Sequence, residues 1–130
     1  MRSALVAAAV MTMALVGTPG APAQTTAEKS AGGDAAAGED LFLDRCAMCH
    51  VAEGGGQGPG LKGVYGRKAA STPGFAYSAA LKASGVTWTA PELDRFLTNP
   101  SAAIPGTAMP ITVPDARQRA DLIAYFAAQK

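Results

Sequence analysis

The chain has 130 residues, with 11 Lys plus Arg against 10 Asp plus Glu and a formal net charge of +1 at pH 7. That near-neutral balance lacks the clustered basic charge that nucleic-acid binding calls for. Its 48% hydrophobic fraction and positive mean hydropathy (+0.12) are inflated by one apolar segment at the start and carry no sign of a membrane character elsewhere.

Residues 1–23 read as a secretory signal. Arg2 supplies a positive beginning, Ala4 to Val16 form an apolar stretch, and Ala21-Pro22-Ala23 has the small-residue form of a cleavage site. The apolar stretch is short of the ~20 residues that span a bilayer. An uncleaved anchor is the alternative reading. Residues 24–36 are small, polar and aperiodic, and read as a flexible leader of the mature chain. The remainder, residues 37–130, has the length of one small domain.

A first helix is expected over 37–49, with Asp34 as its N-cap and Glu39 and Asp40 placing negative charge in the first turn. Phe42 and Cys46 are four apart and share a face. The end of this helix carries Cys46-Ala47-Met48-Cys49-His50. Two thiols at i and i+3 followed by an imidazole form the attachment pattern of a c-type haem. The spacing points both sulfurs toward one porphyrin edge and puts the imidazole under the ring, within reach of the iron.

This pentapeptide holds every cysteine and histidine of the chain. One haem c attached through two thioethers is therefore the most that can be built, and bis-histidine ligation cannot be built within one chain. A zinc site needs three or four N, S or carboxylate ligands, and no further Cys or His exists to complete one. A redox dithiol would be expected beside a βαβ pattern, which is not visible; a local disulfide is the plain structural alternative. The exported reading and the haem reading agree, because haem is attached to such motifs outside the bacterial cytoplasm. The expected location is the periplasm.

Glycines at 54, 55, 56, 58, 60, 63 and 66 flank Pro59. Glycine at this density marks tight turns and close backbone approach. An ordinary surface loop is one reading. The functional one folds the loop against the histidine, with the Pro59 carbonyl accepting the Nδ1–H of His50 and fixing the ring. Further on, a short helix is expected over 77–83, ending before Gly85. Arg67, Tyr77 and Trp88 carry polar tips that suit a buried haem propionate, since an unpaired buried carboxylate is costly. Tyr77 and Trp88 read equally as core aromatics.

Thr89-Ala90-Pro91-Glu92 has the form of a capping box. It opens a helix to about Thr98, with Leu93, Phe96 and Leu97 inward. Residues 100–114 hold four prolines and read as a rigid extended loop, neither strand nor helix. Met109 lies in it. Beyond residue 23 the only other methionine is Met48, between the attaching cysteines. By elimination Met109 is the thioether available as a sixth iron ligand. The last helix is expected from Pro114 or Asp115 to Ala128, with Leu122, Ile123, Tyr125 and Phe126 on its apolar side. It should pack on the first helix, where Gly38 lets the backbones approach.

Taken together, the chain resembles a class I cytochrome c of the mitochondrial type, in a bacterial periplasmic form. The likeness rests on Cys46-Ala47-Met48-Cys49-His50, Gly58-Pro59-Gly60-Leu61, Gly63-Val64-Tyr65-Gly66-Arg67, Tyr77-Ser78-Ala79-Ala80, Gly85-Val86-Thr87-Trp88, Asn99-Pro100, Ile104-Pro105-Gly106-Thr107-Ala108-Met109 and Asp121-Leu122-Ile123-Ala124-Tyr125. It covers about residues 37–129. The resemblance implies an all-α fold: the small cytochrome c fold, with N- and C-terminal helices packed together and short helices and loops wrapped around one haem c. It implies His50 and Met109 as axial ligands and Arg67, Tyr77 and Trp88 near the propionates. It also implies Thr107 hydrogen-bonding close to the haem and Asn99 ordering the methionine loop.

The chain departs from the family pattern at several points. Phe96 stands where many relatives have a tyrosine near the ligand sulfur, Leu81 replaces an asparagine, and Ile111 replaces an aromatic. Ser101, Ala102 and Ala108 occupy positions of the usual lysine ring. These changes imply a mainly apolar contact patch around Ala102, Ala103, Ala108 and Ile111, with Lys62 and Lys82 at its rim. The expected function is one-electron transfer between redox protein partners by a monomer that is not an enzyme. Two alternatives stay open on sequence alone: a haem enzyme or gas binder with a labile methionine, and an electron-entry subunit of a dehydrogenase or oxidase.

Overall fold

The computed structural model describes residues 32–51 and 56–129. The expected signal segment and most of the expected leader lie outside these residues, as do Gly54 and Gly55. Among these residues five helices make up the regular structure: α1 (Ala35–Arg45), α2 (Ala79–Ala83), α3 (Ala90–Thr98), α4 (Pro100–Ala103) and α5 (Ala116–Ala128). Among the described residues there is no strand, only one antiparallel bridge between Lys68 and Thr87. The fold is therefore all-α.

Helix α1 starts two residues earlier than expected and ends four earlier. Asp34 caps it, its carboxylate accepting from the backbone N–H groups of Ala36 (2.9 Å) and Ala37 (3.2 Å). Since Ala35 is the first helical residue, Glu39 and Asp40 fall beyond the first turn, which has no acidic residue. At the other end both Cys46 and Ala47 donate to the Phe42 carbonyl, at 2.8 and 2.9 Å. Sharing that acceptor widens the last turn and stops the α-helical ladder before the attachment motif.

Helices α1 and α5 pack against each other, and the contact is made close by Gly38. A Cβ at Gly38 would collide with the Asp121 carbonyl and lie 2.9 Å from Tyr125 Cβ. The ring of Phe42 meets Tyr125 at 5.4 Å and Phe126, edge-on, at 6.1 Å. Asp121, itself buried, accepts from the Asp34 N–H at 2.7 Å and faces Arg117 at 3.5 Å. The start of α1 is thus tied to the middle of α5. Leu122 is fully buried at the centre, a burial that contributes about 1.5–3 kcal/mol.

Val64, Trp88, Leu93, Phe96, Leu97, Ile104, Val113 and Phe126 complete the core, with Met109 and Cys46 half-buried against it. The expected inward face of α3 is the observed one. Its expected capping box is not formed. Thr89 is the N-cap but makes no side-chain capping bond. Its N–H donates to the Thr87 carbonyl at 2.7 Å, and the Glu92 carboxylate instead accepts from Arg95. The two groups that would reach each other across the box are engaged elsewhere.

Helix α4 corrects the expectation of an extended loop from residue 100. Asn99 caps it, accepting the Ala102 N–H at 3.0 Å, and Pro100 occupies the first turn, where its missing N–H costs nothing. Helix α2 begins at Ala79 rather than 77, because Ser78 is its N-cap and accepts from the Leu81 N–H. It ends ahead of Gly85, whose φ of +67° suits the residue past a helix end.

Candidate haem site

The attachment motif forms a tight turn directly after α1. Cys49 and His50 both donate from the backbone to the Cys46 carbonyl, at 3.1 and 2.8 Å. Both cysteines are free and half-buried. Burial pushes the Cys46 thiol up from its ordinary value; the Arg45 guanidinium opposes this and the Cys49 thiol adds to it. Redox-active CxxC thiols show the opposite, a lowered value. Met48 points outward and is 86% exposed. Of the two methionines beyond residue 23, only Met109 is packed against the core.

The histidine is held on two sides. Its Nδ1 lies 2.8 Å from the Pro59 carbonyl. With Nδ1 donating there, Nε2 keeps a lone pair for a metal. Gly58 lies against the imidazole, so that any Cβ at this position would strike the ring atoms Cε1 and Nδ1. Its own N–H donates to the Cys49 carbonyl at 2.9 Å. The turn and the glycine loop thereby close on each other, a pairing that the Gly58-Pro59-Gly60 run hinted at by its lack of side chains.

Arg67 reaches the same loop from the other side. Its guanidinium donates to the carbonyls of Gly60 (3.2 Å) and Lys62 (3.1 Å). His50, Pro59, Gly60 and Arg67 therefore form one connected group. Tyr77 stands with its ring 4.8 Å from Phe75, and its hydroxyl oxygen accepts the Thr72 N–H at 3.3 Å, which leaves the O–H free to donate. The side-chain oxygen of Thr72 is buried without a hydrogen-bond partner. Trp88 is a core aromatic with its ring 5.0 Å from Phe96. Asn99 is an exposed helix cap, and Thr107 donates its N–H to Ile104 at 3.0 Å.

These residues fit a covalently held haem. A metal-ready imidazole comes after two thiols in one turn, and a glycine with no side chain packs against it; elsewhere the buried hydroxyl of Thr72 has no polar partner. Of the residues singled out in the sequence, His50, Pro59 and Arg67 are brought together directly; Met109 lies on a different segment, after α4. Sequence reasoning missed Gly58 as the residue lying on the imidazole, and it missed Arg95 and Arg119, which hold the methionine loop. Exposed small and apolar side chains at Ala102, Ala108 and Ile111 leave that loop's outer face uncharged, with Ala103 half-buried beside them.

A small helical fold with a CxxCH turn between its first helix and a glycine loop defines a haem-attaching electron carrier. Comparison with known proteins agrees. The family model for cytochrome c matches residues 35–130. Cytochrome c of Chlamydomonas reinhardtii is 45% identical over 106 residues, covering 78% of this chain and 95% of that protein. The Tetrahymena pyriformis cytochrome c is 49% identical over 96 residues, covering 72% and 87%. Among solved structures, cytochrome cH from Methylobacterium extorquens superposes with a TM-score of 0.70 at 45% identity, covering 74% of this chain and 99% of its own. The chain belongs to the cytochrome c family, whose members carry electrons on a haem c bound through two thioethers.

Proposed function

We propose that the protein is a periplasmic one-electron carrier whose single haem c is attached through Cys46 and Cys49 and ligated axially by His50 and Met109. The observation that carries this reading is the imidazole held between Gly58 and the Pro59 carbonyl, with Nε2 free to ligate; among the described residues the one packed methionine lies in a separate proline-rich loop. Segment 1–23 is read as the export signal and 24–36 as a leader. The mature chain acts as a monomer toward redox proteins that give and take the electron. No helix among the described residues is long and apolar enough to cross a membrane.

When bound, the haem supplies a ferrous/ferric couple. The chain's residues set where that couple sits and how it behaves. The Pro59 carbonyl fixes the imidazole orientation and raises its basicity. Met109, packed against the core, would be the thioether that favours the ferrous state, and an iron held against that core would be disfavoured from taking the extra positive charge of the ferric form. Arg67 holds the loop that carries Pro59 through the Gly60 and Lys62 carbonyls, and Arg67 and Tyr77 would supply donors to the propionates. Phe96 is buried in the core against which Met109 packs and brings no hydroxyl to it. If His50 and Met109 both stayed bound in the two oxidation states, little would rearrange when the electron moved.

A redox titration of the purified holoprotein tests this reading. It should give one Nernstian wave of a single electron per chain, with the same spectrum on return to the starting potential. A wave that is hysteretic, or that requires more than one electron per chain, would argue against a simple carrier.

A further inference from the structure

The Met109 segment makes few bonds of its own. Thr107 donates to Ile104 at its start and Val113 donates to the Leu97 carbonyl at its end, at 2.7 Å. Between them, among the described residues, 108–112 take part in no hydrogen bond. Pro105, Pro110 and Pro114 restrict the chain but do not attach it to the core. The place of Met109 is therefore set by the anchors on either side of it.

Two arginines, each aimed by a carboxylate of α3, reinforce those ends. Arg119, from α5 and only 11% exposed in its side chain, donates from Nη1 to the carbonyls of Val113 (3.0 Å) and Pro114 (2.8 Å). Its Nε donates to Asp94 at 2.7 Å. Arg95 donates from Nη1 to the Ala103 carbonyl at 2.7 Å, while its Nε and Nη2 are held by Glu92 at 3.1 and 2.7 Å. A guanidinium is suited to this, since its rigid fork serves a carboxylate and carbonyls together. A lysine at either position offers one point charge and no fork.

We propose that Arg119, oriented by Asp94, and Arg95, oriented by Glu92, are positioning residues for the methionine ligand: they clamp the two ends of its loop and so govern how readily the thioether leaves the iron. This rests on the reading of Met109 as sixth ligand. Arg119 is the stronger of the two, because it is the less exposed and joins α3, α5 and the loop. It does not touch the iron and acts only through the loop.

The test is imidazole binding to the ferric holoprotein, followed together with the weak red sulfur-to-iron band. Arg119→Gln should speed imidazole entry by about tenfold or more, since charge-assisted hydrogen bonds are worth at least one decade. Arg119→Lys should fall between the two, and Asp94→Asn should act in the same direction if the Gln variant does not fold. Leu122→Ala is the control for general loosening, as it lowers stability without removing a hydrogen bond of the loop. Equal acceleration in Leu122→Ala and Arg119→Gln at matched stability would overturn the clamp, and so would an Arg119→Gln rate equal to wild type. Met109→Ala separates the two levels. If it binds imidazole at once while Arg119→Gln behaves as wild type, the clamp alone fails. If it keeps the red band, the ligand reading beneath the clamp fails.

Discussion

Met109→Ala leaves the haem attached but gives a chain whose ferric iron is five-coordinate or water-ligated and whose ferrous form binds carbon monoxide rapidly. The reason is chemical scarcity. Beyond residue 23 the chain has two methionines and one histidine, and Met48 is 86% exposed in the turn between the attaching cysteines. Apart from the attaching cysteines, no other soft ligand among the described residues is packed against the core. Alanine removes the thioether without adding bulk, so the loop keeps its anchors at Thr107 and Val113. The reduction potential falls as well, by a few tenths of the ~0.8 V range over which axial ligands act. A ferric spectrum that stays fully low-spin without added ligand would remove Met109 from its assigned role.

Gly38→Val strikes the fold rather than the iron. The α1–α5 contact brings backbone against backbone at this residue, and any Cβ runs into the Asp121 carbonyl, which belongs to a helix ladder and cannot swing aside. Overpacking of this kind costs about 3 kcal/mol or more when rigid atoms must move. That is a large share of the ~5–15 kcal/mol that holds a domain together. Chemical denaturation of the holoprotein measures it. Gly32→Ala is the matched control, because nothing lies within 4 Å of a Cβ there; its effect should stay within about 0.5 kcal/mol. A Gly38→Val midpoint equal to wild type would mean that the two helices do not approach as described.

Several features of this fold are legible from residue types alone. A glycine and then a phenylalanine on the first helix, opposite a glycine-free apolar helix at the end, point to one close helix pair, and the structure has it at Gly38, Phe42, Tyr125 and Phe126. The inward triplet Leu93, Phe96 and Leu97 is read from periodicity in the same way. The attachment motif needs no periodicity, since Cys46, Cys49 and His50 are the only residues of their kind.

Other features depend on which partner wins a contested group, and sequence spacing does not show that. Glu92 has the right offset to cap α3, yet it faces Arg95, and the N–H it would have served is held by Thr87. Pro100 reads as a helix stop for α3 and is also the first residue of α4, because Asn99 turns the chain and caps again. The end of α1 departs from expectation for a related reason: Phe42 offers one carbonyl to two donors. Arg119 leaves no trace in the sequence because its acceptors are main-chain carbonyls five and six residues away and a carboxylate 25 residues upstream. Main-chain acceptors carry no residue-type signature.

The most direct measurement is the visible absorption spectrum of the holoprotein, oxidised and reduced, with and without carbon monoxide. The expected result is a low-spin c-type spectrum in both states, a weak red sulfur-to-iron band in the oxidised form, and no change when carbon monoxide is added to the reduced form. Rapid carbon monoxide binding by the unmodified protein would contradict His50/Met109 ligation, because the sixth position would then be open or loosely held and the iron free to react with small ligands.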